Sequence, residues 1–250
     1  MAGHSQFKNI MHRKGAQDAK RAKLFAKLAR EITVAAKIGV PDPKQNSRLR
    51  NAILNARSEN MPNDRIKKAL LKASTNNNAE NYDEIRYEGF GNNGISLIIE
   101  TLTDNKNRTA SELRSLLTKN GGNLGETGSA TFNFQQLGEI SFDPNVINKE
   151  EVEIFAIENG ASEIFDEEDV FKVLCDPNNF NEFRNLLEKN FKELKTSKLI
   201  WHPINLIEVN DEEAKNIFKI IESLEEIDDV QNIYTNVKIS KENLKALDGV

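Results

Sequence analysis

From residue 16 to residue 73 the apolar residues of this chain recur at helical spacing, and beyond residue 82 they fall into short runs cut by turn residues. A change of period of this kind requires a helical segment followed by a mixed helix-and-strand body. Charge changes at the same place. Residues 1–75 carry 17 Lys and Arg against 5 Asp and Glu, a net of +12, while the remaining residues carry a net of −17. The overall balance of −5 therefore describes neither part, and the segregation predicts one end made for a polyanion.

The helical segment reads as three helices. From Ala16 to Ile38, at about 100° per residue, Phe25, Leu28, Ala29, Ile32 and Ala36 share one arc of roughly 100°. Lys20, Lys23, Lys27, Arg30 and Lys37 share another arc, nearly opposite and free of anions. An ordinary solvated helix face mixes signs at i, i+4 spacing, so a uniformly cationic face predicts contact with phosphate. Its small, alanine-rich apolar face makes a membrane-surface role the weaker alternative.

Gly39 and Pro41-Asp42-Pro43 should stop this helix, with Asp42 capping the next. Leu49, Ala52, Ile53 and Ala56 define the second helix, which stops at Asn60-Met61-Pro62. Ile66, Ala69, Leu70 and Ala73 define the third. Each has one narrow apolar face, so the three are stable only when packed. The last two have the outline of a helix-turn-helix. Beyond Arg65, Lys67, Lys68 and Lys72, however, the third offers little for base edges, which favours sequence-independent phosphate contact. Residues 1–14 are acid-free and unpatterned. They read either as a frayed terminus or as a tail that orders on RNA, with Phe7 or His12 stacking on a base.

After a linker over 74–81 the order reads strand 85–88, strand 95–103, helix 107–119 and strand 130–134. Residues 138–202 then give β-α-β-β-α-β, with strands at 139–142, 161–165, 170–175 and 198–201 and helices at 149–159 and 179–190. Strand 204–209, helix 211–224 and strand 230–237 complete a second unit of the same order. The expected fold is α+β and multidomain: a three-helix domain over 1–78, a discontinuous ferredoxin-like domain over 79–134 and 203–250, and a second ferredoxin-like (split βαβ) domain inserted at 135–202.

Catalysis has no visible foothold. Histidines stand only at 4, 12 and 202, and no His or Cys pair has metal-ligand spacing. The single cysteine, Cys175, excludes an internal disulfide and ends an apolar strand, as a small buried hydrophobe would. Gly121 to Ser129 is glycine-rich but lacks the Lys-Ser/Thr of a phosphate loop and precedes a strand, so a flexible connection is expected. Asp166 to Asp169 lacks calcium-loop spacing and reads as a charged hairpin turn. No run reaches the ~18–20 apolar residues of a membrane span, and the N-terminus lacks a secretory signal. The expectation is a non-enzymatic, cytoplasmic protein without cofactor or metal.

The head carries Ala2-Gly3-His4-Ser5, Asn9-Ile10-x-His12-Arg13-Lys14 and Gln17-Asp18-Ala19-Lys20-Arg21. Asp42-Pro43, Asn46-x-Arg48-Leu49-Arg50, Ala56-Arg57 and Asn60-Met61-Pro62 follow. The body adds Tyr87-Glu88-Gly89, Gly128-Ser129, Leu224-Glu225 and Asp228-Asp229-Val230-Gln231-Asn232-Ile233-Tyr234. Together these resemble the YebC family over essentially the whole chain. The resemblance implies three domains, the last inserted within the second, and no enzymatic activity or cofactor. Family members are described as DNA-binding transcriptional regulators. Mitochondrial relatives act as translational activators of cytochrome oxidase, and bacterial relatives are implicated in helping ribosomes through proline-rich stretches. The chain departs from the pattern at Phe7, where tryptophan is usual, at Met11, where lysine is common, and at Val40-Pro41, where glycines are frequent. Met11 removes one cation from the tail. The expected nucleic-acid contacts are His12, Arg13, Lys14, Lys20, Arg21, Lys23, Lys27 and Arg30. The expected partners are DNA or RNA, the ribosome included, through residues 1–75, and a protein or a second copy through the acidic domains.

Overall fold

The computed structural model describes residues 17–75, 82–167, 169–191, 194–240 and 243. It is an α+β multidomain structure with a helical N-terminal region and two antiparallel sheets. The described residues form two compact units, the first from those within 17–27, 82–135 and 201–243, the second from those within 28–75 and 136–200.

Helix α1 spans Gln17–Ile38, α2 Ser47–Ser58 and α3 Asn63–Thr75. In the second unit the connection between α1 and α2 is organised by Asn46, not by Asp42. Asp42 closes a turn, its carboxylate accepting from Lys44 N at 2.9 Å. Asn46 is the N-cap of α2: its Oδ1 accepts from Leu49 N at 3.0 Å. Its Nδ2 donates back to the carbonyls of Ala35 and Val40 at 2.8 and 3.0 Å, so one side chain satisfies orphan groups at the end of one helix and the start of the next. A Cβ on Gly39 would stand 2.5 Å from that Nδ2, which is why glycine is needed there. Asn46→Ala should lower stability by about 1–2 kcal/mol, read by chemical unfolding, with helix content otherwise retained. Asn60, at φ 58, ends α2 in the left-handed region that asparagine tolerates, and Met61 N returns to Ala56 O at 2.9 Å.

The second unit also holds β4 (Phe134–Phe142), α4 (Lys149–Glu158), β5 (Ala161–Glu167), β6 (Val170–Cys175), α5 (Phe180–Phe191) and β7 (Leu194–Pro203), with β4 and β7 each starting or ending in the first unit. The sheet order is β5-β6-β4-β7, the arrangement of a ferredoxin-like fold. Phe142, Val152, Phe171, Val173, Phe183 and Leu187 are its core, and Leu54 of α2 packs against it. Cys175 is buried in that core, its thiol pushed up to about 11 by burial and then by Asp176, which is the state of an inert packing residue.

The first unit holds β1 (Asp83–Phe90), β2 (Ser96–Thr103), α6 (Lys106–Lys119), β3 (Asn123–Leu124), β8 (Ile207–Glu208), α7 (Asp211–Glu225), β9 (Val230–Thr235) and β10 (Val237–Lys238). Its main sheet runs β3-β1-β2-β9, and Leu113, Leu117, Ile217, Ile221 and Leu224 of the two helices pack on Leu97 and Ile99 of β2. Two expected strands differ. Residues 131–133 form a short 3-10 turn, because Ala130 N and Thr131 N donate to the buried Glu88 carboxylate at 2.7 and 2.9 Å and are lost to any ladder. Residues 204–209 yield only β8, which pairs in parallel with β10, because β1 already fills the place between β3 and β2.

Candidate nucleic-acid interface

The cationic arc of α1 is real, but it does not face open water. Lys20, Lys23, Lys27, Arg30 and Lys37 are all half-buried. Within the first unit, Lys20 Nζ meets Glu222 Oε1 at 3.3 Å, and Lys23 meets the Glu226 carboxylate and donates to Glu226 O at 3.0 Å. Lys27 Nζ donates to Glu225 O at 2.8 Å.

The physical reason lies in α7. Its first turn carries Asp211, Glu212 and Glu213, while its last turn has no basic residue of its own. The unsatisfied carbonyls and negative end of the helix dipole therefore coincide with Glu222, Glu225 and Glu226, and lysines three and four residues apart on α1 supply the missing cations. Burial lowers the Lys27 pKa, with Glu225 pulling the other way. The Lys20 and Lys23 pairs are over a third exposed on each side. Pairs of that kind contribute about 0–1 kcal/mol each, so a phosphate backbone can compete for them.

Of the other expected contacts, Arg21 is exposed and stacks over Phe25, its guanidinium carbon 5.4 Å from the ring centroid. Arg30 belongs to the part of α1 in the second unit. His12, Arg13 and Lys14 lie outside the described residues. Elsewhere in the second unit, exposed cations include Arg57 at the end of α2 and Arg65, Lys67, Lys68 and Lys72 on α3, with Asp64 the single acid on that helix. Helical phase marks these four as lying outside the Ile66-Ala69 stripe, a signal already present in the sequence. Arg48, by contrast, is taken by Glu31 through two bonds of 2.8 and 3.0 Å.

Residues 82–237 match the family described as TACO1/YebC second and third domain, and residues 5–76 match the TACO1/YebC protein N-terminal domain. The chain belongs to the TACO1/YebC family. A crystal structure of a conserved hypothetical protein from Aquifex aeolicus is similar to it, with a TM-score of 0.81 and 37% identity over 90% of this chain and 93% of that one.

Several TACO1/YebC motifs now have structural work. Tyr87-Glu88-Gly89 and Gly128-Ser129 meet in one cluster, where Glu88 accepts from Gly128 N at 2.9 Å and from Thr131 Oγ1 at 2.6 Å, besides the two amides above. Asp229 likewise accepts from Thr109 Oγ1 at 2.7 Å, Arg108 at 2.8 Å and Thr103 Oγ1 at 3.1 Å, tying β9 to α6 and β2. Among the described residues no cluster of His, Cys, Asp and Glu could hold a metal ion, and no helix is long and apolar enough to cross a membrane.

Proposed function

We propose that this member of the TACO1/YebC family is a non-enzymatic, cytoplasmic regulator of gene expression that binds nucleic acid through its basic helical segment, acting as a DNA-binding regulator of transcription. The observation that carries this is the run of exposed cations on α3 with a single acid beside them, backed by the lysines of α1. Phosphate contact needs only such charge, and counterion release supplies the driving force. The acidic α+β domains are left for a protein partner or a second copy.

A second function has its own support. The exposed side chains of α3 are phosphate-gripping cations and not a set matched to base edges, which favours a structured RNA such as that of the ribosome, and with it a role in translating difficult, proline-rich sequences. Co-sedimentation with ribosomes, run beside competition between duplex DNA and structured RNA, separates the two. Transcriptional regulation predicts sequence-specific duplex binding without ribosome association. Ribosome association that survives moderate salt, with weak and unspecific duplex binding, would overturn it. In either case the logarithm of affinity should fall linearly with the logarithm of salt concentration.

A further inference from the structure

Of the four named residues in Asn46-x-Arg48-Leu49-Arg50, the first three have an evident structural task. Asn46 caps, Arg48 binds Glu31, and Leu49 is fully buried. Arg50 is half-buried on α2 and makes no side-chain bond among the described residues, and its Nε is buried without an acceptor.

An arginine on α5 lies close enough to feel its charge. Arg184 is 1% exposed. One terminal nitrogen donates to Asn51 Oδ1 at 2.8 Å, the residue next to Arg50, and the other to Asn185. A single carboxylate, Glu188, stands 3.5 Å away with its side chain 44% exposed, and the Arg184 Nε has no acceptor. Burial first, and the charge of Arg50 second, lower the Arg184 pKa, with Glu188 opposing them. Two like charges, two buried N–H groups without acceptors and one loosely placed anion leave this part of the second unit short of negative charge. A buried charge in that condition is costly unless an anion completes it.

We propose that Arg50 and Arg184 form a binding site for a phosphate group. Guanidinium groups suit phosphate through paired, planar N–H donors, and the two free Nε–H groups are the donors on offer. That the phosphate is carried by a nucleic-acid backbone rests on the function proposed above. Inorganic phosphate presents the same chemistry.

The test is to follow the side-chain Nε–H resonances of the full chain by NMR while adding inorganic phosphate in one arm and a short RNA oligonucleotide in the other. Both arginine signals should shift, and Arg50→Gln should abolish the shifts. The same variant should weaken RNA binding about three- to tenfold and make its salt slope shallower by about 0.7, the share of one phosphate contact on a single strand. Because Arg50→Gln also relieves repulsion on Arg184, its thermal midpoint should rise, whereas a purely structural arginine would lower it. Signals that neither phosphate nor RNA moves, or an Arg50→Gln protein that binds both as the native chain does, would overturn the site. Signals moved by phosphate but not by RNA uphold the site and remove the nucleic acid as its carrier. RNA binding that persists with unmoved signals removes the site and leaves the proposed function standing.

Discussion

Glu88→Ala is expected to cost the first unit about 3–5 kcal/mol at neutral pH. The carboxylate accepts from three backbone amides and one hydroxyl, and it is 1% exposed. Removing it strands those donors in the interior. Burial alone would raise the Glu88 pKa, but the bonds from Thr131, Ala130 and Gly128 outweigh it and hold the group below its ordinary value of 4.5. A depressed carboxylate contributes stability that is fully present above the unfolded value and is lost as pH falls through the folded one. The gap between native protein and Glu88→Gln should therefore be widest at neutral pH and narrow progressively below about 4.5. Urea unfolding followed by the fluorescence of Trp201, the single tryptophan and part of this unit, reads both effects. A gap that stays constant down to strongly acid pH would mean that the charge of Glu88 is not what holds the loop.

The second large effect is on binding. Lys20→Glu/Lys23→Glu should weaken nucleic-acid binding by at least about tenfold, since two phosphate contacts become repulsions. It should also unseat α1, because the new carboxylates face Glu222 and Glu226. Adding Glu222→Lys/Glu226→Lys restores opposite charges across the same contacts. Thermal stability should then recover while nucleic-acid binding stays low. Recovery of both would show that the two lysines serve only to seat the helix. Glu222→Lys/Glu226→Lys by itself removes both ion pairs and should strengthen binding severalfold.

The helices of the basic segment were legible because each repeats one apolar stripe, and Phe25, Ile32, Leu49, Ala56 and Ile66 are buried as their spacing requires. The βαββαβ order of residues 134–203 was legible for the same reason, its strands and helices being separated by clear turn residues. What local pattern could not carry was long-range pairing. Nothing near residue 130 announces that its amide is claimed by a glutamate forty-two positions earlier, and nothing near 204 announces that β1 fills the neighbouring place in the sheet. The cationic arc is evident from the sequence alone. The half-burial of Lys20, Lys23 and Lys27 depends on an acidic helix end some two hundred residues away. Asp42 and Asn46 are both good caps, and only the reach back to Ala35 and Val40 separates them.

The hydrogen bond from Ile204 N to Asn133 O, 2.8 Å long, joins the two points where the chain leaves and re-enters the first unit. Closing a flexible loop of that length, some seventy residues, costs about 4 kcal/mol of chain entropy. Here the inserted segment meets that cost itself, since β4 and β7, its first and last strands, lie side by side in its own sheet. This sets an order of assembly during synthesis. β1, β2 and α6 emerge early but must wait with one edge of β2 unpaired until the insert has folded and brought α7 and β9 back to it. The last fifty residues thus act as a completion step, and a chain truncated before them would expose a ready-made edge to its neighbours.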